Sequence, residues 1–225
     1  MKKILNAAQL KIIALISMLT DHLAVCFAEL LPEWGYNVMR SVGRLAFPIF
    51  CFLIVEGFEK TSSRLKYCLR LLVFALISEV PYDMLMHRAW FYPYGNNIMF
   101  TLMLTVLVLW IVDVLQKKGT PGIIAALSIA IAAGVAAYFL HLEYSWKCIA
   151  IAMLFYVAKN DDAVKYAGTA CILLINTTIT GLNAVFALSL IYLYNGKKGK
   201  TQKYFFYIFY PVHILALGIV KCFLI

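Results

Sequence analysis

Of 225 residues, 64% are hydrophobic and only 14% are charged, and the mean hydropathy is +0.85. A chain so short of polar material cannot cover the surface of a soluble globule, so composition alone predicts an integral membrane protein. The net charge of +9 then calls for no nucleic-acid partner, because Lys and Arg gather in the cytoplasmic loops of membrane proteins.

The apolar runs recur at helical length without the dyad alternation of a transmembrane barrel, which predicts an all-α polytopic helical bundle. In chain order the spacing predicts nine spans: Leu10–Leu31, Val42–Phe58, Lys66–Met86, Ile98–Leu115, Pro121–Leu140, Trp146–Ala158, Val164–Ile179, Leu182–Tyr194 and Tyr204–Ile225. The sixth and eighth fall short of the roughly 20 residues that cross a bilayer and are expected to tilt, thin the bilayer or fuse with a neighbour. Residues 1–225 read as one integral-membrane domain. The Met1-Lys2-Lys3 start mimics a signal peptide, but the Asp21-His22 pair interrupts what would be its apolar core, so the first span is expected to remain in the mature protein.

Loop charge gives an expected orientation. With the N-terminus inside, cytoplasmic ends carry Lys2, Lys3, Lys11, Lys60, Arg64, Lys66, Arg70, Lys117, Lys118, Lys159, Lys165, Lys197, Lys198, Lys200 and Lys203, and only Arg40, Arg44, Arg88, Lys147 and Lys221 fall outside. An even number of spans would break that alternation. The reading is therefore a multi-pass protein of a bacterial cytoplasmic membrane, N-terminus cytoplasmic and C-terminus outside. Six scattered cysteines lack metal-ligand spacing and read as small apolar packers, and no metal is expected.

The ionisable residues inside the spans are the candidates for chemistry, since a centrally placed charge costs roughly 2.5 to 3.5 kcal/mol on insertion scales. At a helix rise of about 1.5 Å per residue, His22 lies about 18 Å and His213 about 15 Å from the cytoplasmic ends of the first and last spans, near one level. Glu79 comes about 20 Å in, and Asp83, Arg40, Arg44, Asn96 and Asn97 fall in the outer layer. Adjacent residues point about 100° apart on a helix, so Asp21 is expected to pair with an arginine rather than to orient His22. Arg40 and Arg44, four apart, share a face: they grip an anion or carboxylate, or they pair with Glu79 or Asp83 to hold the bundle. His22 and His213 also read as helix-packing histidines, His213 beside a proline break in Tyr210-Pro211-Val212-His213. Glu56 is expected to pair with Arg64 or Arg70. The tract from Lys60 to Arg70 is accounted for by topology and is secondarily a phosphate-binding tract for a cofactor such as coenzyme A.

Several of these segments together resemble a known family. Leu10-Lys11-Ile12-Ile13-Ala14-Leu15 leading to Asp21-His22, then Arg40-Ser41-Val42-Gly43-Arg44-Leu45-Ala46-Phe47-Pro48-Ile49-Phe50, Glu56-Gly57-Phe58 and Thr61 are similar to the TraX family. The likeness continues through Arg70-Leu71, Ser78-Glu79-Val80-Pro81-Tyr82, Asn97 to Thr101 and Tyr210 to His213, and covers nearly the whole chain. That family is named for a pilin acetylase of conjugative plasmids and looks related to multispan acyltransferases that use a membrane histidine and cytosolic acetyl-CoA. The resemblance implies acetyl or similar acyl transfer to an amine or hydroxyl beyond the membrane, on a pilin-type N-terminus, a glycan or a lipid.

The residues fit that chemistry. An attacking amine or hydroxyl must lose a proton, which suits His22 as general base. Asn97, Arg44 or a protonated His213 are candidate oxyanion donors. Asp21 and Glu79 would set the charge of nearby cations, and Arg40 or Arg44 would hold the acceptor, with Asp83 in the same outer layer. Arg64 and Arg70 are the candidates for the acyl donor's phosphates. The alternatives are a small transporter or flippase, for which paired intramembrane ions and broken helices also serve, and a non-catalytic assembly factor for surface structures.

Overall fold

The computed structural model describes residues 3–200 and 204–224, so the topology charges Lys2 and Lys203 and the terminal Ile225 lie outside the described residues. Every regular element among the described residues is helical. In chain order they are α1 (Ala7–Cys26), α2 (Glu33–Gly43), α3 (Ala46–Lys60), α4 (Arg64–His87), α5 (Ile98–Leu115), α6 (Thr120–Phe139), α7 (Ser145–Val157), α8 (Asp162–Leu174), α9 (Ile179–Leu182), α10 (Ala187–Tyr192) and α11 (Phe205–Phe223). Among the described residues, five stretches are long and apolar enough to cross a membrane: α1, Glu33–Lys60, Ile98–Lys118, α6 and α11.

The chain divides into two compact units. The first comprises Met1–Leu53, Val80–Phe91 and Leu173–Ile225. In it α1 packs against α2 and α11, and α2 against α9. The N-terminus of α1 is closed twice over. Asn6 and Gln9 form a reciprocal capping box, and the N–H groups of Ala7 and Ala8 donate to the carbonyls of Lys197 and Lys198 at 2.9 and 3.1 Å. The helix thus begins with its orphan donors satisfied. Gly218 lets α11 approach the last turns of α4, since a Cβ there would meet Met84 Cβ at 2.9 Å and the Pro81 carbonyl at 3.3 Å.

The second unit comprises Ile54–Glu79 and Tyr92–Ile172. Its α5, α6 and α7 pack around Val108, Val112, Ala126, Ala137 and Ile149. Asn97 caps α5, its side chain accepting from Met99 N–H at 3.0 Å.

Several predicted spans have different boundaries here, two of them for clear local reasons. The run Val42–Phe58 is divided at Arg44-Leu45 into α2 and α3. Pro48 is the third residue of α3, a first-turn position that tolerates its missing N–H but cannot continue a hydrogen-bond ladder from α2. The run Val164–Ile179 ends early, at Leu174, because Asn176 adopts φ of 47° and Thr178 caps the four-residue α9.

Candidate functional site

The first unit gathers five of the sequence-selected residues onto α1, α2 with its C-terminal cap residue Arg44, and α11. Asp21 is buried and bracketed by two guanidiniums: Arg40 Nη1 donates to Oδ2 at 2.6 Å, and Arg44 Nη2 donates to Oδ1 and Oδ2 at 2.6 and 2.7 Å. The carboxylate that Arg40 and Arg44 hold is therefore Asp21, from the neighbouring helix. α2 comes this close because of Gly43, where a Cβ would overlap the Asp21 carboxylate. Adjacency on α1 sends the next side chain elsewhere, and His22 turns to α11.

His22 and His213 are both buried, with Nδ1 of His22 2.7 Å from Nε2 of His213 and the rings stacked at 11°. The other ring nitrogen of His213, Nδ1, lies 2.7 Å from the Phe209 carbonyl. A carbonyl only accepts, so neutral His213 carries its proton on Nδ1 and presents Nε2 as an acceptor. His22 must then donate from Nδ1, which leaves the lone pair on its Nε2. Two hydrogen bonds thus fix both tautomers. Tyr210 borders the pair, its ring 6.4 Å from that of His22 and 5.7 Å from that of His213.

Asp83 lies in the same unit on the last turns of α4 and is 1% exposed. Glu79 and Asn97 belong to the second unit, where they bind each other. Asn97, fully buried, donates its side-chain amide to Glu79 Oε2 and to the Ala75 carbonyl at 2.9 Å, and its backbone N–H reaches Glu79 Oε2 at 3.3 Å. With its oxygen capping α5, the Asn97 side chain is fully committed within the protein, and an oxyanion role would require breaking one of these bonds.

Arg64 donates to Asp113 Oδ2 at 2.7 Å and stacks 4.4 Å over the Phe58 ring. Asp113 also receives Tyr156 OH at 2.6 Å and Lys117 Nζ at 3.1 Å. Glu56 pairs with Lys60, one turn along α3. Arg70 stands apart: its guanidinium lies 5.7 Å over the Tyr67 ring, and its buried Nε has no hydrogen-bond partner among the described residues. Of the two arginines nominated for a phosphate, Arg70 has the uncommitted charge.

The matching family model, described as TraX protein, spans residues 6–221 and so includes every residue of both clusters. The chain belongs to the TraX family. A relative, the probable fimbrial assembly protein FimC, serogroup H1, of Dichelobacter nodosus, is 30% identical over 244 residues, covering 97% of each chain. No solved structure matches.

Sequence reasoning missed three features of this TraX-family chain. Phe209 supplies the carbonyl that fixes the histidine tautomers, and backbone roles of this kind leave no residue-type signal. The Asp113 network did have one, a lone acid inside the otherwise apolar run Ile98–Leu115. Gly43 stood between two arginines, but the need for a missing Cβ there shows only once Asp21 is opposite.

Proposed function

We propose that this protein is a membrane-embedded acyltransferase that moves an acetyl or similar acyl group from cytosolic acetyl-CoA to an amine or hydroxyl acceptor on the extracytoplasmic side. The observation that supports it most is the His22–His213 pair. An unprotonated Nε2 on a buried His22 is the group a general base must present. When Nε2 takes the nucleophile's proton, the Nδ1 proton can pass to His213 Nε2, and the positive charge is spread over two rings, one of them anchored to the Phe209 carbonyl. The nucleophile forms its bond to the acyl carbon, the carbon–sulfur bond breaks, and the proton held by the pair returns to the leaving thiolate. Asp21 with Arg40 and Arg44 fixes the α1–α2 geometry beside this base, and Arg70 is the better candidate for the donor's phosphates.

The acyl donor is a substrate, and no metal is invoked. The proposed topology is that of the charge pattern: nine spans in a single domain of a bacterial cytoplasmic membrane, N-terminus inside and C-terminus outside. The acceptor is a pilin-type protein or another cell-surface molecule, in line with the fimbrial assembly name of the relative. That same name favours a second reading, a non-catalytic assembly factor in which the polar pairs only join helices. Coenzyme A release from acetyl-CoA by purified protein in nanodiscs separates the two. Slow release that disappears in His22→Ala and survives in Cys26→Ala supports the enzyme; no release, with no acetyl-CoA binding by calorimetry, supports the assembly factor.

A further inference from the structure

An open cavity of about 940 Å³, exposed at the surface, lies in the first unit between α2 and the segment Thr178–Phe186. One wall presents Asn37 and Ser41, one helical turn apart, among Val38, Val42 and Leu45; the other presents Thr178, Ile179, Thr180, Asn183 and Phe186. Such a volume, with apolar walls and a few convergent polar groups, is what small-molecule sites have. No charged residue lines it. The side chains of Asn37, Ser41 and Asn183 make no hydrogen bond among the described residues, although each amide offers two donors and an acceptor and the hydroxyl offers both roles. Arg40 on α2 and Arg44 at its C-terminal cap hold Asp21, so the cavity and the Asp21 cluster share one helix.

The lining narrows the ligand. A protonated amine or a phosphate needs an opposite charge, and the nearby Asp21 is already held by two guanidiniums. An acyl chain would strand the three unpartnered polar groups. An amphipathic helix wants a continuous apolar groove, which Asn37, Ser41 and Asn183 interrupt, and an extended peptide wants a strand edge, while the described residues contain no strand. A sugar ring answers the set. Its hydroxyls both donate and accept, and its C–H face suits an exposed aromatic such as Phe186, 68% exposed.

We propose that this cavity is a binding site for a neutral, hydroxylated sugar residue of a glycan. The binding does not depend on the acyltransferase reading, since neither His22 nor His213 lines the cavity. The test uses the full chain in nanodiscs of phosphatidylethanolamine and phosphatidylglycerol, free of sugar detergents, on an array of hexose and N-acetylhexosamine oligosaccharides, with a tetra- to decapeptide array beside it. Glycan binding is expected, weakened about fivefold in Ser41→Ala and more than about tenfold in Asn37→Leu/Asn183→Leu, as loss of one or two hydrogen bonds predicts. An unchanged thermal transition in these variants shows that they are folded, and Ser41→Ala carries the test if the double variant is not. No glycan signal above empty nanodiscs, glycan binding indifferent to folded variants, or peptide binding lost in their place each overturns the proposal. Coenzyme A release in the same samples, measured without acceptor, reports separately on the acyltransferase reading.

Discussion

His22 donates its Nδ1 proton to His213 Nε2 across 2.7 Å, and the direction of that bond is set by a third group, the Phe209 carbonyl held by His213 Nδ1. The consequence is chemical asymmetry between two residues of one type. His22 keeps a free base, Nε2, while both nitrogens of His213 are engaged.

Substitution should expose that asymmetry. His22→Ala is expected to abolish coenzyme A release, a loss of about a hundredfold or more, since the base itself is gone. His213→Gln keeps an acceptor for the Nδ1 proton but cannot take a second proton, so turnover is expected to fall about tenfold with KM for acetyl-CoA unchanged. Equal loss in both variants would mean that the pair acts as one indivisible unit.

The Asp21 cluster tests stability more than chemistry. A buried carboxylate between two guanidiniums leaves uncompensated charge when it is removed, which typically costs about 3 kcal/mol or more. Asp21→Asn should therefore lower the thermal transition of the purified protein. Gly43→Ala should do the same by a different route, its Cβ displacing the Asp21 carboxylate and parting α2 from α1. A Gly43→Ala protein with wild-type stability would show that α2 shifts freely, against the close approach described.

Much of this arrangement was legible in the sequence, and the limits have physical reasons. Helical composition and long apolar runs are local properties, and the 100° step between Asp21 and His22 already separated their partners. Rise per residue brought His22 and His213 to one level from opposite ends of the chain. That α1 lies against α11, and that Arg40 and Arg44 close on Asp21, depends on which helices are neighbours, and a single sequence has no signal for that. The break between α2 and α3 had local cues, Gly43 and Pro48, which the hydrophobicity of Val42–Phe58 outweighed.

Asn97 and Glu79 are expected to behave as structural residues. Asn97→Ala removes a helix cap and the side-chain hydrogen bond to the half-buried Glu79 carboxylate, together about 2 kcal/mol or more. Lower yield and a lower thermal transition are expected, with coenzyme A release per folded molecule within about threefold of wild type. A collapse of turnover at unchanged stability would instead restore Asn97 as an oxyanion donor.

Arg64 and Arg70, six residues apart at the start of α4, should separate in the opposite sense. Arg64 neutralises Asp113 at 2.7 Å with Tyr156 OH at 2.6 Å on the same carboxylate, so Arg64→Gln leaves Asp113 leaning on Lys117 and Tyr156 and should cost about 2 kcal/mol of stability. Arg70 has no ion pair to lose among the described residues, so Arg70→Gln should leave the thermal transition nearly unchanged. If its guanidinium meets the donor's phosphates, KM for acetyl-CoA rises about tenfold while kcat holds, because a charge far from the acyl carbon contributes equally to ground-state and transition-state binding. Unchanged KM in Arg70→Gln would move the phosphate site away from this stretch of α4.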